Sequence, residues 1–156
     1  MKVRIKSYGA DLFVGSLDGF DIVSGTDTDG GSLMDVSDRV PGQPRKGPSP
    51  MEMVLIGTGG CSAVDIVSLL KSMNEPVDGV IIDIVGERAT TMPRVFVKIQ
   101  MDYTVLGNVD PAKAEQVVRM SADEYCSATA MIGKTATITR SVKVLADQTD
   151  RQARHI

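Results

Sequence analysis

The sequence predicts an α+β fold, in which most strands and helices occupy separate stretches of the chain. Three observations lead to this class. Residues 1–25 alternate apolar and polar side chains as strands do, residues 50–73 form one long helical stretch, and strands, helices and a last strand follow in that order. A doubly wound sheet would instead alternate strand and helix throughout. Because 156 residues suffice for one buried core, we expect residues 1–156 to form a single domain.

The N-terminal stretch, 1–25, contains the strand-like runs KVRIKSY, DLFVGSL and FDIVSG, which are separated by turn residues. The next stretch, 26–49, is rich in Gly, Pro, Ser and Asp, and we interpret it as a long loop. Long loops in compact domains are typically either functional or disordered.

The helix predicted over 50–73 has a clear start and an unusual centre. Ser49 is its expected N-cap, Pro50 its first residue, and Glu52 completes a capping box with the serine. Apolar residues cover most of its circumference, so we expect it to be buried on nearly all sides, inside a domain or between subunits. Three glycines within GTGGCS each cost about 1 kcal/mol of helix stability relative to alanine. They indicate that a substrate, or simply another helix, approaches the backbone closely.

Two strands of a hairpin are predicted over 78–106, from DGVIIDIVGERAT and PRVFVKIQMDYTVLG. Helices are predicted over 110–133, the first of them capped by Asp110. The last strand is predicted over 135–146.

The second helix of the 110–133 stretch is expected to start at Ser121, with Glu124 completing another capping box, and to end at Gly133. This assignment places Cys126 inside the helix. A cysteine in that position gains little from the positive end of the helix dipole.

Composition argues against several classes of partner. The formal net charge is −3 and the chain has three Tyr, three Phe and no Trp, so neither a basic surface nor a stacking platform for nucleic acid is expected.

The first residues do not read as a signal peptide, and no uninterrupted apolar run reaches the roughly 20 residues of a membrane span. We therefore expect a cytoplasmic protein that stays out of the membrane. In that reducing compartment, two cysteines favour a catalytic or redox role over a structural disulfide.

Cys61 and Cys126 are the main candidates for chemistry. A free cysteine taken singly is more often a small buried apolar residue, and the spacing of these two does not show whether they meet. No cofactor is expected. No metal site is expected either, because the one histidine, His155, lies in the C-terminal tail, far in sequence from both cysteines.

The segments SPMEMVLIGTGGCSAVDIVSLL and SADEYCSATAMIGKTATITRSVKV, one around each cysteine, resemble the OsmC/Ohr superfamily and most closely its YhfA-like branch. The resemblance implies an OsmC-like fold, with antiparallel sheets wrapped around two central cysteine-bearing helices in an intertwined homodimer. It also implies a thiol-dependent peroxidase of the oxidative stress response. Cys61 would attack a small hydrophobic organic hydroperoxide, Cys126 would resolve the product as a disulfide, and a dithiol would reduce it.

The resemblance also implies an acid and an arginine near Cys61, for which Glu52, Arg39 and Arg45 are the candidates. This sequence differs from the peroxidase branches at the position of the acid. Met51 stands ten residues before Cys61, where the peroxidase branches carry glutamate, and Glu52 lies about 100° further around the helix.

Two further departures lie at the cysteines themselves. CSAT replaces the Cys-Pro-x-Ser pattern of the peroxidase branches, and Asp65, one turn after Cys61, would oppose thiolate formation if it were charged and near. Whether the chain is an enzyme therefore stays open. The alternatives are a non-catalytic dimer that binds a small hydrophobic ligand in its interface cleft, and a redox sensor that is oxidised without turnover.

Overall fold

The computed structural model describes residues 49–146 and the backbone of three N-terminal strands, at 4–7, 12–17 and 20–25. The chain divides into two compact units, Met1–Ile56 and Gly57–Ile156. The loop predicted over 26–49 lies outside the described residues except for its last position. Arg39, Arg45 and His155 lie outside them as well.

The first unit contains an antiparallel three-stranded sheet. Its strands are β1 (Arg4–Ser7), β2 (Leu12–Leu17) and β3 (Phe20–Gly25), paired in the order β1-β2-β3. The alternating pattern and the short connections of the N-terminal stretch therefore predicted these strands correctly.

Helix α1 (Pro50–Ser72) begins at the predicted capping box. The Ser49 N–H donates to Glu52 Oε2 at 2.8 Å, and the Glu52 N–H donates to Ser49 Oγ at 3.3 Å. These reciprocal bonds satisfy two N–H groups that have no partner within the helix. The helix ends before Asn74, whose φ of +57° is the left-handed conformation common at helix C-termini.

The expectation that α1 is buried on nearly all sides is wrong for the single chain. One stripe is buried, comprising Thr58, Gly59, Ser62, Ile66 and Leu70. On the opposite side, the apolar Val64 is 67% exposed. By length and mean hydropathy alone α1 is long and apolar enough to cross a membrane, although polar residues and glycines interrupt its apolar runs.

The second unit contains a sheet in the order β4-β5-β6, formed by β4 (Val77–Arg88), β5 (Phe96–Gly107) and β6 (Thr137–Leu145). The predicted hairpin over 78–106 is the antiparallel pair β4–β5. The expectation of antiparallel sheets is wrong for β6, which runs parallel to β5 from the pair Lys98↔Thr137 onward. The helical segment between β5 and β6 returns the chain to the end of the sheet where β5 began, and that geometry requires parallel pairing.

Helix α2 (Pro111–Met120) begins at the predicted cap, where Asp110 Oδ1 accepts from the Ala112 N–H at 2.9 Å. The predicted second capping box, at Ser121, does not form. The chain instead continues from α2 through a π-helical turn, Ser121–Tyr125, and α3 is the short helix Ser127–Ile132.

Cys126 consequently lies at the N-cap of α3 and not inside a helix. Its backbone is extended (φ −76°, ψ 99°), and its N–H donates to the Ser121 carbonyl at 2.7 Å, which closes the π-helical turn. The prediction failed because the Ser121 hydroxyl, which the capping box requires, bonds to side chains of α1 instead.

The core of the second unit lies on one face of β5. Ile99, Met101, Tyr103 and Val105 alternate along this strand and are each no more than 1% exposed. Helix α2 adds Ala114, Val117 and Val118, and α1 adds Ile66 and Leu70. This layer of helices on a sheet holds the cysteine-bearing segments in place.

Gly107 ends β5 with φ +120°, and an added Cβ would overlap the Pro76 carbonyl oxygen. We predict that Gly107→Ala lowers the free energy of unfolding by roughly 2–4 kcal/mol, because both the backbone conformation and the contact become strained. Gly79→Ala is the control, since no atom lies within 4 Å of its added Cβ, and it should change stability by about 1 kcal/mol or less. Urea denaturation of both variants tests this, and equal stabilities would contradict it.

Candidate functional site

The structure brings the two cysteines together. The sulfur atoms of Cys61 and Cys126 and a carboxylate oxygen of Asp65 all lie within 4.8 Å of one another. Both thiols are free. The sequence alone did not show whether the two thiols lie close together, and the structure shows that they do. Asp65 was expected to matter if it were near Cys61, and it is near both cysteines.

Cys61 and Asp65 share a face of α1 because residues four apart on a helix lie one above the other. The close approach of α1 to the sheet positions this face. A Cβ on Gly59 would lie 2.7 Å from Ile84 Cδ1 of β4, so glycine allows the helix to sit against the strand. Within the described part of the chain, nothing lies within 4 Å of a Cβ built on Gly57 or Gly60. Of the three glycines, only Gly59 is therefore explained by packing against the described part of the chain.

A chain of hydroxyl groups joins α1, β5 and the π-helical turn. Ser62 Oγ lies 3.2 Å from the Tyr103 hydroxyl and 3.3 Å from Ser121 Oγ. Ser121 Oγ donates to Asp65 Oδ2 at 3.2 Å. Each hydroxyl has one proton, so once Ser121 donates to the carboxylate, Ser62 donates to Ser121, and the Tyr103 proton has two acceptors within reach, Ser62 Oγ and Met101 Sδ, the latter at 3.5 Å. The chain of bonds therefore runs from Tyr103 to the Asp65 carboxylate.

The three hydroxyl residues Ser62, Tyr103 and Ser121 are each at most 1% exposed, and sequence reasoning did not select them. The sequence nevertheless contained a sign of two of these residues, because each places a polar group on an otherwise apolar face. Ser62 interrupts the apolar face of α1, and Tyr103 places a hydroxyl on the buried face of β5. Buried polar groups need partners, so each could have been identified as half of a contact.

Burial raises the pKa of the Tyr103 hydroxyl, while the hydrogen bond with Ser62 and the nearby Arg140 guanidinium lower it by less. The hydroxyl therefore remains protonated and acts as a donor at neutral pH. Arg140, on β6, is a cation close to this network, and it was not among the arginines predicted from the sequence.

Burial also raises the pKa of the Cys126 thiol, which belongs to a residue only 2% exposed. Hydrogen bonds from Thr129 favour the thiolate and oppose this effect, and the neighbouring Cys61 sulfur raises the pKa further. The Thr129 hydroxyl also lies 2.9 Å from the Cys126 carbonyl oxygen, to which it donates. Cys126 is therefore protonated at neutral pH, although it occupies an N-cap. Cys61 is more exposed.

The other predicted site residues are not part of this cluster. Glu52 takes part in the capping box with Ser49. Arg39 and Arg45 lie outside the described residues, so their proposed role near Cys61 stays a prediction.

Comparisons with known proteins agree with this fold. A family model described as OsmC-like protein matches residues 42–141, which include both cysteines. Protein YhfA of Escherichia coli strain K12 is 40% identical over 102 residues, covering 65% of this chain and 76% of its own length. A crystal structure of a hypothetical protein from Aquifex aeolicus VF5 is 25% identical, with a TM-score of 0.77 over 94% of this chain and 97% of that one.

The organic hydroperoxide resistance protein OhrB of Bacillus subtilis is similar in fold, with a TM-score of 0.65 over 91% of this chain and 96% of its own. Its sequence identity is 14%, so this likeness shows the shared fold alone. Together the matches confirm the resemblance that the two cysteine segments indicated.

We predict that Cys126 is alkylated more slowly than Cys61 in the native reduced protein, because it is buried and its raised pKa leaves little thiolate. The Cys126 rate should still increase with pH beyond about 8.5, the ordinary cysteine pKa. Brief iodoacetamide treatment followed by peptide mass spectrometry measures both rates, and the urea-unfolded protein serves as the control. Equal native rates, or a faster Cys126, would contradict the prediction.

Proposed function

Because the chain belongs to the OsmC-like protein family, we propose that it is a thiol-dependent peroxidase that reduces small hydrophobic organic hydroperoxides, with Cys61 as the attacking thiolate and Cys126 as the resolving thiol. Relatives of the same fold that are named for hydroperoxide resistance support the reaction class. The reaction is proposed to occur in the cytoplasm, where a dithiol can return the oxidised protein to the reduced state.

The observation that carries this proposal is the proximity of the two sulfur atoms, at most 4.8 Å apart. A disulfide requires about 2.0 Å between them, so less than about 3 Å of closure would form the bond. Rotation of the two side chains and a small movement of the short helix α3 can supply a displacement of that size.

The two thiols differ in the way the reaction requires. Cys61 is the more exposed, so a peroxide can reach it, whereas Cys126 is buried and stays protonated. The Cys61 thiolate attacks the terminal peroxide oxygen, the O–O bond breaks, and the alkoxide takes a proton to leave as an alcohol. Cys126 then attacks the Cys61 sulfenic acid, its proton and the hydroxide leave as water, and a disulfide forms.

A homodimer forms part of the proposal, and the exposed face of α1 supports it. Gly57, Gly60, Val64 and Ser68 are exposed in the single chain and follow the helix at intervals of three and four residues. This stripe carries no charged side chain, and its small residues would allow a second helix to approach closely. A second copy of the chain would cover it and meet the expectation of an all-round buried helix.

Binding of a small hydrophobic ligand without chemistry is the alternative. The same uncharged stripe supports it, because two such faces would enclose an apolar cleft. The two functions differ in whether the thiols are oxidised, since a protein that only binds a ligand does not require their oxidation.

Treatment of the reduced protein with one equivalent of cumene hydroperoxide should lower its intact mass by about 2 Da and block both thiols to alkylation. Cys126→Ser should stop at the sulfenic acid, about 16 Da heavier and trapped by dimedone, and Cys61→Ser should stay unmodified. Turnover with a dithiol such as dihydrolipoamide should fall at least about a hundredfold in Cys61→Ser.

Each other outcome excludes the proposal in a different way. Thiols that remain free and unmodified in the wild type would contradict peroxidase chemistry and favour ligand binding. A disulfide that forms once and is not turned over by any dithiol would favour the redox sensor. Equal oxidation of Cys61→Ser and Cys126→Ser would contradict the division of roles.

Val64→Asp should convert the dimer into monomers, because it places a charge in the centre of the uncharged stripe. Val85→Asp is a matched control: Val85 is 69% exposed against 67% for Val64, and it lies on the outer face of β4 between Asp83 and Glu87. Sedimentation velocity of the wild type and both variants measures the effect. A monomeric wild type, or a Val64→Asp variant that stays dimeric, would show that this face is not the interface.

A further inference from the structure

Cys61, Asp65 and Cys126 together form a set of metal ligands that neither the family match nor the proposed peroxidase chemistry assigns. No metal site was expected from the sequence, because its one histidine, His155, lies far along the chain from both cysteines. The fold supplies Asp65 instead, one helical turn from Cys61. We propose that the reduced protein binds one zinc ion through the two sulfur atoms and the Asp65 carboxylate, with a water in the fourth position.

The distances fit such an ion. All three donor atoms lie within 4.8 Å of one another. Around a tetrahedral zinc ion, with Zn–S bonds of about 2.3 Å and Zn–O bonds of about 2.1 Å, donor atoms lie roughly 3.5–3.8 Å apart. Contraction by about 1 Å between donors would therefore complete the geometry.

The surrounding hydrogen bonds fit as well. A carboxylate ligand of a metal is usually held by a further hydrogen bond, which fixes its orientation. Asp65 Oδ2 accepts from Ser121 Oγ, and Ser62 and Tyr103 support that serine in turn. The second carboxylate oxygen can bind the ion. A buried chain of hydroxyl groups thus orients the Asp65 carboxylate. A carboxylate on an open surface would have no such support.

Charge favours a cation at this place. Once both thiols are deprotonated, the two thiolates and the carboxylate would carry three negative charges in a partly buried space, where each would repel the others more strongly than in water. A divalent ion attracts all three, and thiolate sulfur favours borderline and soft ions such as Zn²⁺ over Mg²⁺ or Ca²⁺. The two thiol protons pass to the solvent as the metal binds.

Zinc binding and disulfide formation exclude each other, because both use the same two sulfur atoms. The inference does not rest on the peroxidase proposal: it requires only reduced thiols and the carboxylate. A protein that binds zinc and never reacts with a hydroperoxide would support the metal site alone, and the reverse result would support the peroxidase alone.

The test is a zinc titration of the reduced protein against a chromophoric chelator, with a phosphine as the reductant. We expect one Zn²⁺ per wild-type chain and none after oxidation to the disulfide. Asp65→Asn, which keeps the shape of the side chain, should weaken binding by at least about tenfold, and Cys61→Ser and Cys126→Ser should abolish stoichiometric binding. The control is Asp123→Asn, at an exposed acid on the π-helical turn, which should bind like the wild type.

Cobalt substitution keeps the test independent of how well the variants fold. Co²⁺ added to the reduced wild type should give the sulfur-to-metal charge-transfer band and the intense d–d bands of a tetrahedral thiolate site. Zinc should also protect both thiols from iodoacetamide. Absence of stoichiometric binding, an octahedral cobalt spectrum, or an Asp65→Asn variant that binds as tightly as the wild type would overturn the proposal.

Discussion

The contact between α1 and the sheet at Gly59 and Ser62 is the constraint on which the site depends. Glycine lets the helix lie against Ile84, and Ser62 then reaches both Tyr103 and Ser121. A helix held further from the strand would lose these hydrogen bonds. Because Cys61 and Asp65 lie on either side of Ser62 along α1, the same contact fixes the positions of both relative to Cys126.

The hydroxyl chain stabilises the arrangement in a specific way. An apolar helix on an apolar sheet can slide or rotate with little penalty, but a buried hydroxyl that loses its partner costs about 1–3 kcal/mol. In the described part of the chain, every buried side-chain oxygen and nitrogen has a hydrogen-bond partner. The polar network therefore selects one register of α1 against β5 and the π-helical turn. It also explains why Ser121 belongs to the core and does not cap a helix.

The two thiols of the site differ in burial, and both lie near one carboxylate. Cys126 is buried, which keeps it protonated, and Cys61 lies on the more open side. Asp65 adds a carboxylate oxygen within 4.8 Å of both sulfurs. A protein that only performed thiol chemistry would gain little from that carboxylate. Its presence is the physical reason to consider a cation at the same place.

Much of the fold follows from local patterns. The capping box at Ser49, the N-cap at Asp110, the hairpin and the N-terminal strands were predicted correctly, since each depends on residues close together in sequence. The failures share a cause. The capping box at Ser121, the antiparallel pairing of β6 and, within the single chain, the all-round burial of α1 were wrong, because a distant segment decides each of them.

The sequence by itself determined the α+β class, the helix start at Ser49, the family and the identity of both cysteines, because these depend on local propensity or on recognisable segments. Only the tertiary structure decided that the sulfurs meet, that Asp65 joins them, and that Ser62, Tyr103 and Ser121 orient the carboxylate. Contacts between residues some forty to sixty positions apart arise from packing, and spacing along the chain does not contain them.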